Sequence, residues 1–149
     1  MGSTAISAVP ELLASLQPEL DPVVYVYATL PPDADPQPYA PQATLREAEA
    51  LTVIVPEAVA EQAGLPIHFR CAWITLRVHS DLTAVGLTAA VAGALTTAGI
   101  SCNVLAGTWH DHLLVPVAAA EAALAALQRL QSGAAHQLQQ TRTAQPGNC

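Results

Sequence analysis

No lysine occurs anywhere in this chain. Its five basic side chains are all arginines, set against twelve carboxylates, for a formal net charge of −7. A surface of that sign repels phosphate backbones and removes the attraction behind most non-specific nucleic-acid binding, so nucleic acid is not an expected partner. Aromatic residues are scarce too, at 4% of 149 residues. The core must therefore come from Val, Leu and Ile with many alanines, enough for one ordinary domain or two small ones sharing a core. Three cysteines, Cys71, Cys102 and Cys149, form no CxxC pair and imply neither a disulfide framework nor a zinc site. Cys71 and Cys102 sit in apolar segments that predict buried, reduced thiols. No apolar run reaches the roughly 20 residues of a spanning helix. The start, MGSTAISAVPELLASL, lacks the basic segment and long apolar stretch of a secretory signal. The expectation is a soluble, cytoplasmic protein with no membrane partner.

What is present alternates between helical and extended patterns. VPELLASL (9–16) spaces its apolar residues like a short helix, whereas VVYVYATL (23–30) is β-branched and aromatic, as a strand requires. Five of twelve prolines fall within residues 31–41, which makes that segment a loop. LTVIVP (51–56) reads as a buried strand. Pro56 then opens a helix that Gly64 ends in a left-handed conformation. CAWITLRV (71–78) alternates, with Ala72, Ile74, Leu76 and Val78 on one face and Trp73, Thr75 and Arg77 on the other. The following helix places Leu87, Val91, Ala94 or Leu95, and Ala98 on one stripe, with Ser80 or Asp81 as its N-cap and Gly99 beyond its end. Residues 100–107 and 112–117 are predicted strands joined by a turn at 108–111, and residues 118–130 a helix burying Leu124, Leu127 and Leu130. The polar, Gln-rich segment 132–149 shows no periodicity and is expected to be a disordered tail.

LTVIVPEAVAEQAG and HLLVPVAAAEAALA repeat one order of strand, Val-Pro boundary and helix. An internal duplication explains this. With the strand at 71–78 leading, the second copy becomes β-α-β-β-α, most of a split βαβ fold. The expected class is α+β: two interlocked ferredoxin-like modules, at 8–66 and 67–131, whose antiparallel sheets carry helices on one face.

ATLREAEALTVIVPEAV and CAWITLRVHSDLTAVGLTAAVAGALTTAGISCNVLAGTWHDHLLVP resemble bacterial proteins built from two adjoining ACT-type modules. More distantly, they are similar to the ACT pair of a eukaryotic cytosolic arginine sensor. The resemblance spans about residues 8–131 and is most specific in LTAVGLTAAVAGAL, AGIS and DHLLVP. It implies a non-enzymatic, regulatory role without a cofactor: binding a small effector, foremost an amino acid, at an interface between modules. A catalytic domain is missing from the pattern, which leaves the regulated partner open.

The residues point to one candidate region. RVHSDLTAVG (77–86) is a strand-to-helix turn, and the first turn of a helix offers N–H groups without intrahelical partners, a cradle for a carboxylate. Ser80, Asp81, Leu82 and Gly86 from this turn, with Ile100, Ser101 and Asn103 from the start of the next strand, are the expected lining of an effector pocket. Asp81 as a simple helix cap is the competing reading. In LREAE (45–49), Arg46, Glu47 and Glu49 either bracket a zwitterion or face solvent.

WHDH (109–112) raises a second possibility, since His110 and His112 share a strand face and could ligate a metal. A stable site needs a third or fourth ligand, and none is near unless His79 or His136 folds back. The expectation is therefore no metal, a structural hairpin, and a turn-type hydrogen bond from Asp111. Two functions remain as alternatives: a ligand-free oligomerisation module and a metal-dependent enzyme using His110 and His112. A homodimer is expected in any case, because such sheets leave edge strands and a face without helices.

Overall fold

The computed structural model describes residues 8–144. The chain forms two compact units, one made of residues up to Leu20 and from Ile74 onward, the other of Asp21–Trp73. The first helix and the second half of the chain thus share a unit, where the sequence pattern divides the chain near residue 66.

In the Asp21–Trp73 unit, β1 (Pro18–Leu30), β2 (Ala43–Arg46), β3 (Leu51–Pro56) and β4 (Ile67–Leu76) lie in the order β2-β3-β1-β4. Antiparallel register sets Val26 opposite Val55, Ala28 opposite Val53 and Leu30 opposite Leu51. These six bury together with Ala60 of α2 (Glu57–Ala63), so one sheet face is closed by a helix. Pro56 ends β3 rather than opening α2, while Gly64 caps it at φ 63°, as its lack of a Cβ permits. The proline-dense stretch is a loop containing one 3-10 turn, Gln37–Tyr39.

In the other unit, residues 74–76 of β4, then β6 (Asp111–Pro116) and β5 (Asn103–Ala106), follow in sheet order, and α1 (Val9–Ala14), α3 (Leu87–Thr97) and α4 (Ala120–Thr143) supply the helices. Ile74, Leu76 and Val78 are buried and Arg77 exposed, the alternation read from sequence. Leu87, Val91 and Leu95 bury one stripe of α3, but Ala98 is exposed.

Three expectations fail here for identifiable reasons. The helix after β4 begins at Leu87, and its N-cap is Gly86 at φ 107° with no side-chain cap, so neither Ser80 nor Asp81 caps it. Residues 81–86 form a loop instead, because Asp81 turns its carboxylate onto Thr83. The strand expected from residue 100 begins at Asn103: Gly99, at φ 72°, lets the Ile100 amide reach back to the Leu95 carbonyl and end the helix. Cys102 therefore precedes the strand and is only half-buried. Finally, α4 runs through the expected tail to Thr143. Gln and Ala are good helix formers, and a small-residue seam of Ala123, Ala126, Leu127 and Ala134 buries along it. The Gln131 side chain ties this helix to the end of α1, donating to the Ala14 carbonyl and accepting from the Gln17 amide. The rest of the expected tail, residues 145–149 with Cys149, lies outside the described residues.

Candidate functional site

The loop between β4 and α3 opens into a cleft of about 70 Å³ lined by Ser80, Asp81, Leu82, Ala84, Leu87, Thr88, Ala106 and Asp111. A water occupies roughly 30 Å³ of liquid. The cleft therefore admits one polar end of a ligand rather than a whole drug-sized molecule, whose sites span roughly 300–1,000 Å³.

Two carboxylates define its chemistry. Asp111 opens β6 opposite Ala106 and is 8% exposed. Strand alternation gives it the inward face shared with Leu113 and Val115, so its place in the strand buries it. Its Oδ2 accepts one hydrogen bond, 3.2 Å from the Ser80 hydroxyl. A turn-type bond had been expected for it; the hairpin turn is instead closed by the Gly107 amide donating to the His110 carbonyl at 2.9 Å. Asp81 is exposed, and its Oδ1 accepts from both the Thr83 amide and the Thr83 hydroxyl at 2.8 Å. Those bonds hold its carboxyl below the usual carboxylate range, so it is charged at neutral pH.

Leu87 and Thr88 place the start of α3 on the same cleft. Because Gly86 offers no capping side chain, the first amides of that helix have no side-chain partner at the N-cap. The cleft thus combines acceptors, at Asp111 and Asp81, with the positive end of an eleven-residue helix. Of its lining, Leu82 is 64% exposed; elsewhere in this unit Val85 is 86% and Trp109 65% exposed, the Trp109 ring 5.1 Å from that of His79.

Of the residues singled out from sequence, Ser80, Asp81 and Leu82 line the cleft and Gly86 ends its loop. Ile100, Ser101 and Asn103 do not line it: Ile100 is buried behind Gly99, and Ser101 and Asn103 are exposed at the far end of β5 from Ala106. Arg46 and Glu49 belong to the other unit, where Arg46 donates to the Pro32 carbonyl and Glu49 is exposed. Sequence reasoning missed Asp111 as a lining residue. Its signal was an acidic residue at the inward parity of a buried strand.

His112 is turned to other work. Its Nδ1 lies 3.0 Å from the Thr75 hydroxyl, and burial foremost, with His110 next, lowers its pKa. Among the described residues no three His, Cys, Asp or Glu side chains gather to hold a metal ion. Cys71 is buried with its thiol pushed up to about 11, and burial also raises that of Cys102, the opposite of what a nucleophilic thiolate requires. No helix among the described residues is long and apolar enough to cross a membrane.

Comparison with known proteins agrees with this architecture. ACT-domain profiles match residues 4–72 and 69–129. The crystal structure of a Vibrio cholerae protein of unknown function, named a possible transport protein, is 44% identical, with a TM-score of 0.75 over 82% of this chain and 94% of that one. An Agrobacterium tumefaciens protein matches at 18% identity and a TM-score of 0.65, over 76% and 87% of the two chains. The ligand-free regulatory subunit of Thermus thermophilus aspartate kinase matches at 15% identity and a TM-score of 0.60, over 78% and 97%. At those identities the last two show a shared fold. No curated protein matches closely enough to count as a relative. With two adjoining matches covering most of its length and a close structural relative, the chain belongs to the ACT-domain family, whose modules serve as ligand-binding regulatory units.

Proposed function

We propose that this protein is a non-enzymatic regulator that binds a free amino acid, acting in the cytoplasm on a partner protein. The carrying observation is the pairing, in one cleft, of the nearly buried Asp111 carboxylate with the uncapped start of α3. A nearly buried carboxylate that, among the described residues, accepts only from the neutral Ser80 hydroxyl is costly, and an incoming ammonium group offsets that cost. The helix start favours the ligand's carboxylate. A zwitterion satisfies both ends at once. The small volume fits this reading, because only the α-amino and α-carboxyl groups need enter while the side chain meets the exposed Leu82.

The test is a thermal-shift screen of the twenty standard amino acids against wild-type protein and Asp111→Asn. A ligand at a hundred times its Kd stabilises by about 2.7 kcal/mol, and Tm rises by roughly 5–10 °C in a chain of this size. Asparagine keeps the shape and the Ser80 bond but removes the charge. Loss of a charge-assisted bond costs about 1.5–3 kcal/mol, so affinity should fall roughly 10- to 150-fold. No shift with any amino acid, or equal binding by Asp111→Asn, contradicts the proposal.

A further inference from the structure

The β5–β6 hairpin carries two histidines that the cleft chemistry does not use. His112 is settled: its Nδ1 lies 3.0 Å from the Thr75 hydroxyl, and its Nε2 lies against Gly107, where a Cβ would stand 3.5 Å from it. His110 is not settled. Among the described residues its Nδ1 is the one buried side-chain nitrogen or oxygen without a hydrogen-bond partner. A neutral imidazole tolerates that place, with Nδ1 as the bare nitrogen and the proton on Nε2. A second proton does not fit there, because it would put a charged N–H in the interior with no acceptor. The ring must turn outward to take it.

The position of His110 gives that movement a consequence. Ala106 and Asp111, the hairpin's two contributions to the cleft, pair with one another, and the tip 107–110 joins them. The tip is tight: the Gly107 amide donates to the His110 carbonyl at 2.9 Å, and a Cβ on Gly107 would stand 2.9 Å from that same oxygen. Asp111 follows His110 directly and accepts from the Ser80 hydroxyl at 3.2 Å. A turn of His110 therefore pulls on the buried carboxylate of the cleft. The charged and titratable groups around the two rings are Asp111 on the same strand, Arg77 just beyond β4, which is paired with Glu19, and His79, stacked near Trp109. Burial foremost, then His110 and Arg77, disfavour a charge on His112, and Asp111 favours one. A proton on the hairpin brings positive charge toward Asp111, where it competes with an ammonium group.

We propose that His110 is an acid-operated latch on the cleft: its protonation in mild acid frees the hairpin tip and draws Asp111 away from Ser80. Histidine is the side chain whose charge changes in that range, and such protonation can switch a packed element between two arrangements. The consequence for binding, release of an amino acid as pH falls, rests on the function proposed above. The movement itself does not.

The experiment is a ¹H–¹⁵N amide titration of the ligand-free protein from about pH 8 to about pH 5, comparing wild type with His110→Gln and His79→Gln. Leu87 and Thr88 are the reporters, because they line the cleft from α3 and neither adjoins a histidine in sequence. Both amides should shift in wild type with the midpoint of the His110 ring protons, shift equally in His79→Gln, and lose the shift in His110→Gln. A further variant, His110→Phe, keeps a ring without its nitrogens and should also lose it, which covers a His110→Gln that fails to fold. Reporter amides that stay in place in wild type overturn the inference. So do amides that move equally in the His110 variants, or that stop moving only in His79→Gln. Because no ligand is present, failure here leaves the amino-acid screen untouched, and failure of the screen leaves this result standing.

Discussion

Replacing Gly86 by alanine tests whether the cleft loop is shaped by its backbone. Gly86 adopts φ 107°, a conformation that L residues rarely hold, and a Cβ there would lie 3.1 Å from Cγ2 of Val9. The backbone part costs about 1–3 kcal/mol. The contact adds less, because a valine methyl can give by a few tenths of an ångström. The unfolded-state benefit of Gly→Ala, about 0.4–1 kcal/mol, applies only where the native φ suits alanine, and here it does not. Urea unfolding followed at 222 nm should therefore show a loss of about 1–3 kcal/mol at unchanged m-value, with Tm lower by roughly 3–9 °C. Adding Val9→Ala lowers stability in its own right. A double-mutant cycle should nevertheless show a small favourable coupling with Gly86→Ala, leaving the backbone part intact. If Gly86→Ala is as stable as wild type within about 0.3 kcal/mol, the positive φ is not required and the loop geometry argued above is wrong.

Ser80→Ala removes the Ser80 hydrogen bond to the Asp111 carboxylate and should destabilise the fold by about 1–3 kcal/mol, read by the same unfolding curves. Cys71 should resist alkylation at pH 8 in native protein and react fully once unfolded. Its folded pKa, about 11 against an ordinary 9.0, is raised; the associated stability is present below pH 9 and is lost as pH rises toward 11, which melting curves across that range will show. For His112 the folded pKa is lowered, so its contribution is present above the ordinary 6.5 and is lost as pH falls below it; an imidazole proton titration should place its midpoint under 6.5. Truncation after Gln131 removes Ala134 and the last turns of α4 and should lower stability by about 1–2 kcal/mol on the apolar area uncovered, whereas a dispensable tail would leave Tm unchanged.

Strand faces were legible because a buried strand next to a helix leaves a period-2 signal, whereas β1 and β4 begin at Pro18 and Ile67, ahead of the expected 23 and 71, and β2 was not expected. The alternation of Ala72, Ile74 and Leu76 against Trp73 and Thr75 gave the two faces of β4, and LTVIVP gave β3 to the residue. The end of α4 was not legible, because its buried seam is mostly alanine, which reads as neutral beside glutamine. The start of α3 was misplaced because SDLT looks like a helix cap. Only the three-dimensional arrangement shows Asp81 closing a local turn and Gly86 starting the helix six residues after Ser80. Of the candidate cleft's eight lining residues, three were visible on the same terms. Ser80, Asp81 and Leu82 lie in one continuous loop, but Asp111 and Ala106 come to it through a hairpin whose pairing, Ala106 opposite Asp111, no local pattern encodes. Ser101 and Asn103 were expected there because the strand was started three residues too early.

The central claim is that an amino acid enters the cleft between the start of α3 and Asp111. A ¹H–¹⁵N titration of the wild-type protein, with the amino acid giving the largest thermal shift, tests it most directly. The account predicts saturable shifts concentrated in the amides of residues 80–88, Ala106 and Asp111, largest at Leu87 and Thr88, where the ligand's carboxylate meets the N–H groups at the start of α3. Saturable shifts that leave those amides unmoved, or a screen and titration in which no amino acid moves any amide, would contradict it.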